Sequence, residues 1–139
     1  MNDRFLWGLA AAGLAAVIAW LFVPSTGNVQ SRQSIEGRVI RIVDGDGLYI
    51  RGHEPQIRIW GIDAPERDEK GFQAATDALA RLAYGKTITC QIMDQDRYGR
   101  TVGRCILPDG RDIARILVED LHAVEYCRYS KGFYGTCDR

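Results

Sequence analysis

The sequence lacks any excess of charge: 18 Lys plus Arg stand against 18 Asp plus Glu in 139 residues. A histone-like or polybasic-tail mode of nucleic-acid binding needs a strong positive excess and is excluded. Histidine is scarce. Of the two, His53 falls in an expected turn and His122 after the second expected helix, and neither joins a cluster. The four cysteines, Cys90, Cys105, Cys127 and Cys137, contain no C-x-x-C pair, which excludes the usual structural zinc spacing. No EF-hand loop, internal repeat or low-complexity tract is present. A chain that is 46% hydrophobic and 26% charged is not wholesale disordered, and its length suits one compact domain.

The apolar residues are concentrated at one end. Phe5 to Val23 runs without a charge, and as a helix it would be roughly 28 Å long, close to the hydrocarbon thickness of a bilayer. Trp7 and Trp20 sit near its ends, where interfacial aromatics belong. A cleaved signal peptide needs a basic flank and a small-x-small cleavage site; residues 1–4 and Val23-Pro24-Ser25 supply neither well. An uncleaved signal anchor over residues 5–23 is the better fit, with residues 24–33 as linker. Four cysteines behind such a segment favour an oxidising compartment. The expectation is an exported domain, membrane-anchored and facing outward from the cytoplasm, or periplasmic or secreted if the segment is cleaved.

From Ile35 the pattern turns strand-like. Ile35 to Val43 is a β-branched run that ends at Asp44-Gly45-Asp46-Gly47, a loop signature. Leu48–Arg51 and Gln56–Ile62 read as further strands, the latter stopped before Pro65. Phe72, Ala75, Leu79 and Leu82 then recur at helical spacing, with Gly85 as the stop. Thr87–Met93 and Thr101–Leu107 read as strands around the polar connection Asp94–Arg100. Asp112 caps a short helix carrying Ile113, Ile116 and Leu117. The order of three strands, helix, two strands and helix is that of a mainly β (α+β) domain over residues 34–125, a five-stranded OB-type Greek-key barrel preceded by one N-terminal apolar helix, with an SH3-like barrel and a generic α+β domain as its rivals on pattern alone. The tail, residues 126–139, is aromatic and polar with no clear period. A disulfide between Cys127 and Cys137 is expected to hold it, whereas Cys90 and Cys105 are read equally as a cross-hairpin pair or as buried thiols.

Several polar residues stand out. Asp44 and Asp46 bracket a glycine and Asp63 follows the third strand, an oxygen-rich set suited to a hard cation such as calcium, although Asp-Gly pairs are also ordinary turn formers. Arg58 interrupts the apolar strand Ile57–Trp60, where a charge needs solvent, a partner or a site. Glu66 follows Pro65 on a rigid turn, and Arg100 ends the Asp96–Arg100 connection. Each has a bland reading as a solvated surface charge. Together they supply two guanidinium groups, a base and a metal cluster, the parts needed to attack a phosphodiester.

Three blocks, Asp44-Gly45-Asp46, Ile57 to Glu66 and Asp96 to Arg100, resemble in order and spacing the signatures of staphylococcal-nuclease-like thermonucleases. The similarity runs from about Ile35 to about Val124. It implies an OB-fold, calcium-dependent phosphodiesterase acting on DNA and RNA. By position, the resemblance makes Asp46 and Asp63 the calcium carboxylates, with the backbone carbonyl of Ala64 as a third ligand and Asp44 acting through water. It makes Glu66 the group that activates the attacking water, and Arg58 and Arg100 the pair that holds the phosphate. Gly47 stands where the family usually has Thr, a change expected to loosen the loop, and the family's long final helix is absent. Arg outnumbers Lys by 14 to 3 after residue 30, which suits bidentate phosphate contacts. The leading expectation is thus a monomeric nuclease acting on single-stranded DNA or RNA. Its rivals are a catalytically silent OB module binding nucleic acid or protein, and a small structural domain of the cell envelope.

Overall fold

The structure is a computed structural model describing residues 33–138; the flank 1–4, the apolar segment 5–23 and residues 24–32 of the linker lie outside the described residues. Five strands close a barrel in the order β1-β2-β3-β6-β5: β1 (Ser34–Ile42), β2 (Gly47–Ile50), β3 (Ile57–Ile59), β5 (Thr87–Gln95) and β6 (Thr101–Ile106). Neighbours pair antiparallel except β3 and β6, which run parallel, with Arg58 opposite Val102. A parallel pair cannot be joined by a hairpin, so the chain crosses over between them through α1 (Phe72–Ala83) and β5. Closure pairs every barrel strand on both sides and leaves no open edge.

The core follows from the alternation. On β6, Thr101, Gly103 and Cys105 point inward while Val102, Arg104 and Ile106 are half-buried. They meet Leu48, Ile50, Ile57, Ile59 and Ile88 inside the barrel, and α1 and α2 (Ile113–Glu119) cover it with Ala75, Leu79, Ala83, Ile113 and Leu117. Cys90 and Cys105 stand directly opposite in the β5–β6 ladder and form a disulfide, so the open alternative resolves as the bridge. Asp112 caps α2 as expected, its carboxylate accepting from the N–H groups of Ala114 and Arg115 at 3.0 and 3.3 Å.

Two departures from the sequence expectation shape the site. The third strand does not run unbroken through Gln56–Ile62: it stops at Ile59, turns at Trp60-Gly61 and resumes as β4 (Ile62–Asp63). Gly61 permits the turn with φ of 79°, and its backbone lies so close to the Tyr134 ring that a Cβ would approach to 3.0 Å. β4 pairs instead with β7 (Val124–Glu125), Ile62 opposite Glu125 and Asp63 opposite Val124. The tail, which shows no period in sequence, contains a one-turn helix α3 (Cys127–Ser130) and is closed by the expected Cys127–Cys137 disulfide. Its organising residue is Glu125. Oε1 accepts from Ser130 Oγ at 2.6 Å and Tyr134 N at 2.9 Å, and Oε2 from Thr136 N at 2.8 Å and Thr136 Oγ1 at 2.9 Å. Burial pushes the Glu125 carboxyl up, but the hydrogen bonds from Ser130, Tyr134 and Thr136 prevail and hold it at about 2.

Candidate functional site

The Asp44–Gly47 loop leaves β1 and is pressed onto the domain. A Cβ at Gly45 would lie 2.7 Å from the Cβ atoms of both Ala64 and Ala75, so only glycine lets the loop approach that closely. At Gly47 the space of a Cβ is taken by the Gln56 side-chain amide and by Asp44 Oδ1, the latter 2.7 Å away, so a larger residue there would need both side chains to move. The same Asp44 Oδ1 accepts from the Asp46 N–H at 3.2 Å. Asp46 is buried, and its Oδ2 accepts from the Ala64 N–H at 3.1 Å, which ties the loop to the segment after β4.

Arg58 faces these carboxylates from β3. Its Nη1 lies 2.9 Å from Asp46 Oδ2 and its Nη2 2.9 Å from Asp63 Oδ1, and Nη1 also donates to the Ile62 carbonyl at 3.2 Å. One planar guanidinium therefore spans both acids. Burial raises Asp46 from 3.8 to about 6, against the opposing pull of Arg58 and the Ala64 N–H, with Asp44 and Asp63 adding to the rise. A single guanidinium does not satisfy this group of acids. An all-oxygen donor set with surplus negative charge is what a hard divalent cation takes, and the Ala64 carbonyl, which accepts no hydrogen bond among the described residues, adds a free oxygen. The residues present fit such an ion.

Arg100 is set by a self-contained turn. Asp96 accepts from the Tyr98 and Arg100 N–H groups at 2.9 and 3.0 Å and from Arg100 Nε at 2.6 Å, while Gly99 supplies φ of 80°. Arg58, Asp63 and Arg100 all line one cleft of about 1100 Å³. Glu66 is not part of that lining. It is exposed on the turn after Pro65, its N–H donates to Glu69 Oε2 at 2.8 Å, and its carboxylate accepts no hydrogen bond among the described residues. The structure thus brings Asp44, Asp46, Arg58 and Asp63 into one linked set and places Arg100 on the same cleft. Ala64 is joined to the set through its backbone, and Glu66 lies two residues further along the chain.

Sequence reasoning missed part of the wall. Arg97 and Tyr98 come from the β5–β6 turn, and Tyr126, Arg128 and Tyr129 from the start of the tail. The signal was the aromatic, arginine-bearing composition of Tyr126–Tyr129, but without a period nothing in it showed which way these side chains face. Glu125, Cys127 and Cys137 also bring ligand-type atoms within 4.8 Å of one another. Both sulfurs there are consumed by the disulfide and the Glu125 oxygens by four hydrogen bonds, so the group is structural.

Several known proteins are similar to this chain. An uncharacterized endonuclease of Escherichia coli is 36% identical over 98 residues, covering 69% of this chain and 64% of its own length. The matched region therefore spans a little under two thirds of that relative. A succinoglycan biosynthesis protein, ExoI, of Rhizobium meliloti is 31% identical over 137 residues, 91% of this chain and 69% of its own. A micrococcal nuclease of Shigella flexneri is 31% identical over 96 residues, 68% of this chain and 52% of its own. The staphylococcal nuclease homologue family matches residues 56–137, a span that begins after the Asp44–Asp46 loop, includes Arg58, Asp63, Glu66 and Arg100, and continues through the disulfide-closed tail. With the closed barrel and the match across more than half its length, the chain belongs to the staphylococcal nuclease homologue family.

Proposed function

We propose that the protein is a calcium-dependent nuclease that hydrolyses phosphodiester bonds of DNA and/or RNA. The observation that carries this reading is the convergence of Arg58, Asp63 and Arg100 on one cleft, with Asp46 held behind Arg58. Asp46, Asp63 and the Ala64 carbonyl would hold the calcium ion, with Asp44 contributing through water; the ion would neutralise charge on the phosphate. Arg58 and Arg100 present forked donors to phosphoryl oxygens, contacts that strengthen as charge builds in the five-coordinate transition state. Water adds to phosphorus, the bond to one ester oxygen breaks and the leaving oxygen takes a proton. Glu66 is the acceptor of the water's proton in this scheme, consistent with a carboxylate free of competing hydrogen bonds. The names of the E. coli and Shigella relatives support the reaction class.

The working context proposed with it is a monomer acting on single-stranded nucleic acid, exported and tethered through residues 5–23, where a stable disulfide suits the compartment. The test is the full chain incubated with labelled single-stranded DNA and RNA, in calcium and in chelator. Calcium-dependent shortening of either strand is the expected result. Binding without cleavage in both conditions would replace the enzyme with a binding module of the same fold.

A further inference from the structure

β4 stands apart from the barrel. Among the described residues its one ladder partner is β7, which sets Ile62 opposite Glu125 and Asp63 opposite Val124. The pairing continues one step further, where the Tyr126 N–H donates to the Gly61 carbonyl at 2.8 Å. The backbone that carries Asp63 is therefore held by residues 124–126, the entry to the tail. The tail also grips the Trp60-Gly61 turn: Tyr134 packs on Gly61, and the Phe133 and Tyr134 rings meet Trp60 at centroid distances of 5.5 and 6.0 Å. Among the described residues the Asp63 carboxylate bonds to Arg58 alone and is half in solvent, so its position follows the backbone beneath it. The two disulfides differ in access. Cys90 and Cys105 are wholly buried in the barrel, whereas neither Cys127 nor Cys137 is buried. A thiolate must reach a sulfur to open a bridge, so a small dithiol attacks Cys127–Cys137 and spares Cys90–Cys105. Opening it returns chain freedom to a segment of 10 residues that carries Ser130, Tyr134 and Thr136, the residues folded around Glu125.

We propose that Cys127–Cys137 is a redox latch on the candidate metal site. Closed, the tail holds β4 in place and keeps Asp63 and Ala64 beside Asp46. Opened, the tail releases β4 and the affinity of the site for its cation falls. The electrons balance: the dithiol gives up two electrons and two protons, becomes a cyclic disulfide, and leaves two thiols on the chain. The inference rests on the calcium-dependent nuclease reading and goes beyond it by assigning that site a regulator. In the exported setting proposed with that reading, the latch confines the cleaving form to the oxidising side of the membrane.

The experiment uses the full chain, oxidised or treated with dithiothreitol without denaturant, and peptide mapping after alkylation identifies the opened bridge. In chelator, amide hydrogen exchange over residues 60–65 should rise at least about tenfold on reduction, while β5 and β6 keep their protection. Calorimetric titration should show calcium binding about tenfold weaker, the usual cost of losing a support behind a metal ligand. Cleavage at limiting calcium should fall in step, and reoxidation should restore all three. Cys127→Ser combined with Cys137→Ser should fix the chain in the weak-binding state and remove its response to dithiothreitol. Ile88→Val, which loosens the barrel core without touching the tail, should leave calcium affinity unchanged. An equal fall with that variant would assign the effect to general loosening and overturn the latch. Unchanged exchange and calcium affinity on reduction would overturn it as well, as would opening of Cys90–Cys105 first. Should the oxidised chain bind calcium yet cleave nothing, the nuclease reading fails while exchange and calcium titration still decide the latch.

Discussion

Asp46 and Arg58 are joined at 2.9 Å, and the same guanidinium reaches Asp63 with its other prong. The pairing couples the acids of the candidate metal site to the cleft, because Arg58 and Asp63 line that cleft while Asp46 lies buried behind them. Arg58 thus already sits where an acid cluster and an anionic substrate would compete for it.

In chelator, the stability of the chain should fall as pH rises from about 4 to about 6. Asp46 is held at about 6 in the fold against 3.8 unfolded, so the native state binds more protons in that window and loses its advantage as they leave. The change is on the order of 3 kcal/mol. Asp46→Asn should flatten this limb in urea titrations at a series of pH values, and calcium should abolish it in the parent by favouring the ionised acid. A parent curve as flat as that of Asp46→Asn would show that the carboxylate is not raised.

Arg58→Lys and Arg100→Lys should impair turnover far more than binding. Lysine keeps the positive charge but not the planar fork that grips two phosphoryl oxygens. Loss of one such donor costs on the order of 10²–10³ in rate. The comparison is kcat on a labelled oligonucleotide against affinity for an uncleavable analogue in calcium; parallel changes in the two would place these arginines in binding alone.

Glu66→Gln should lower kcat by about 10²–10⁴ with near-parent affinity, since it is almost isosteric and removes only the base. Glu66 is exposed and its carboxylate bonds to nothing among the described residues, so the variant should melt with the parent. Thermal melts beside the cleavage assay check both halves.

The tail should be a stability element. Replacing Cys127 and Cys137 together by Ser should cost roughly 2–3 kcal/mol in the chain-entropy account of a short loop. Glu125→Gln should cost about 1–3 kcal/mol at neutral pH, because an amide NH₂ would face the Ser130 or Thr136 donors now satisfied by a carboxylate. The parent should also lose stability as pH falls from 4.5 toward 2, when the depressed Glu125 takes up its proton, and Glu125→Gln should lack that limb. Chemical denaturation across this pH range measures all three.

Much of the barrel is local in origin and so was visible in the residues. β-branched runs, the Asp44–Gly47 loop, the helical spacing of Phe72, Ala75 and Leu79 and the Asp112 cap act over a few positions, and the elements appear there. The break at Trp60-Gly61 was not visible. An apolar run through Ile62 reads as one strand until Tyr134, more than seventy positions later in the chain, packs on the Gly61 backbone and β7 takes Ile62 as its partner. Glu125 likewise reads as one more acid, and becomes the tail's anchor only when Ser130, Tyr134 and Thr136 fold around it.

The places of Asp44, Asp46, Arg58, Asp63, Glu66 and Arg100 on turns and strands were legible in the sequence alone, since turn chemistry and strand patterning act over a few positions. That Cys90 and Cys105 bridge depended on the β5–β6 register, which places them opposite each other, and register is a property of the whole sheet. That Arg58 straddles two acids, that burial lifts Asp46, and that Arg128 and Tyr129 share the cleft with Arg100 were decided by tertiary structure. Desolvation and convergence depend on what packs from elsewhere in the chain, and no local pattern encodes them.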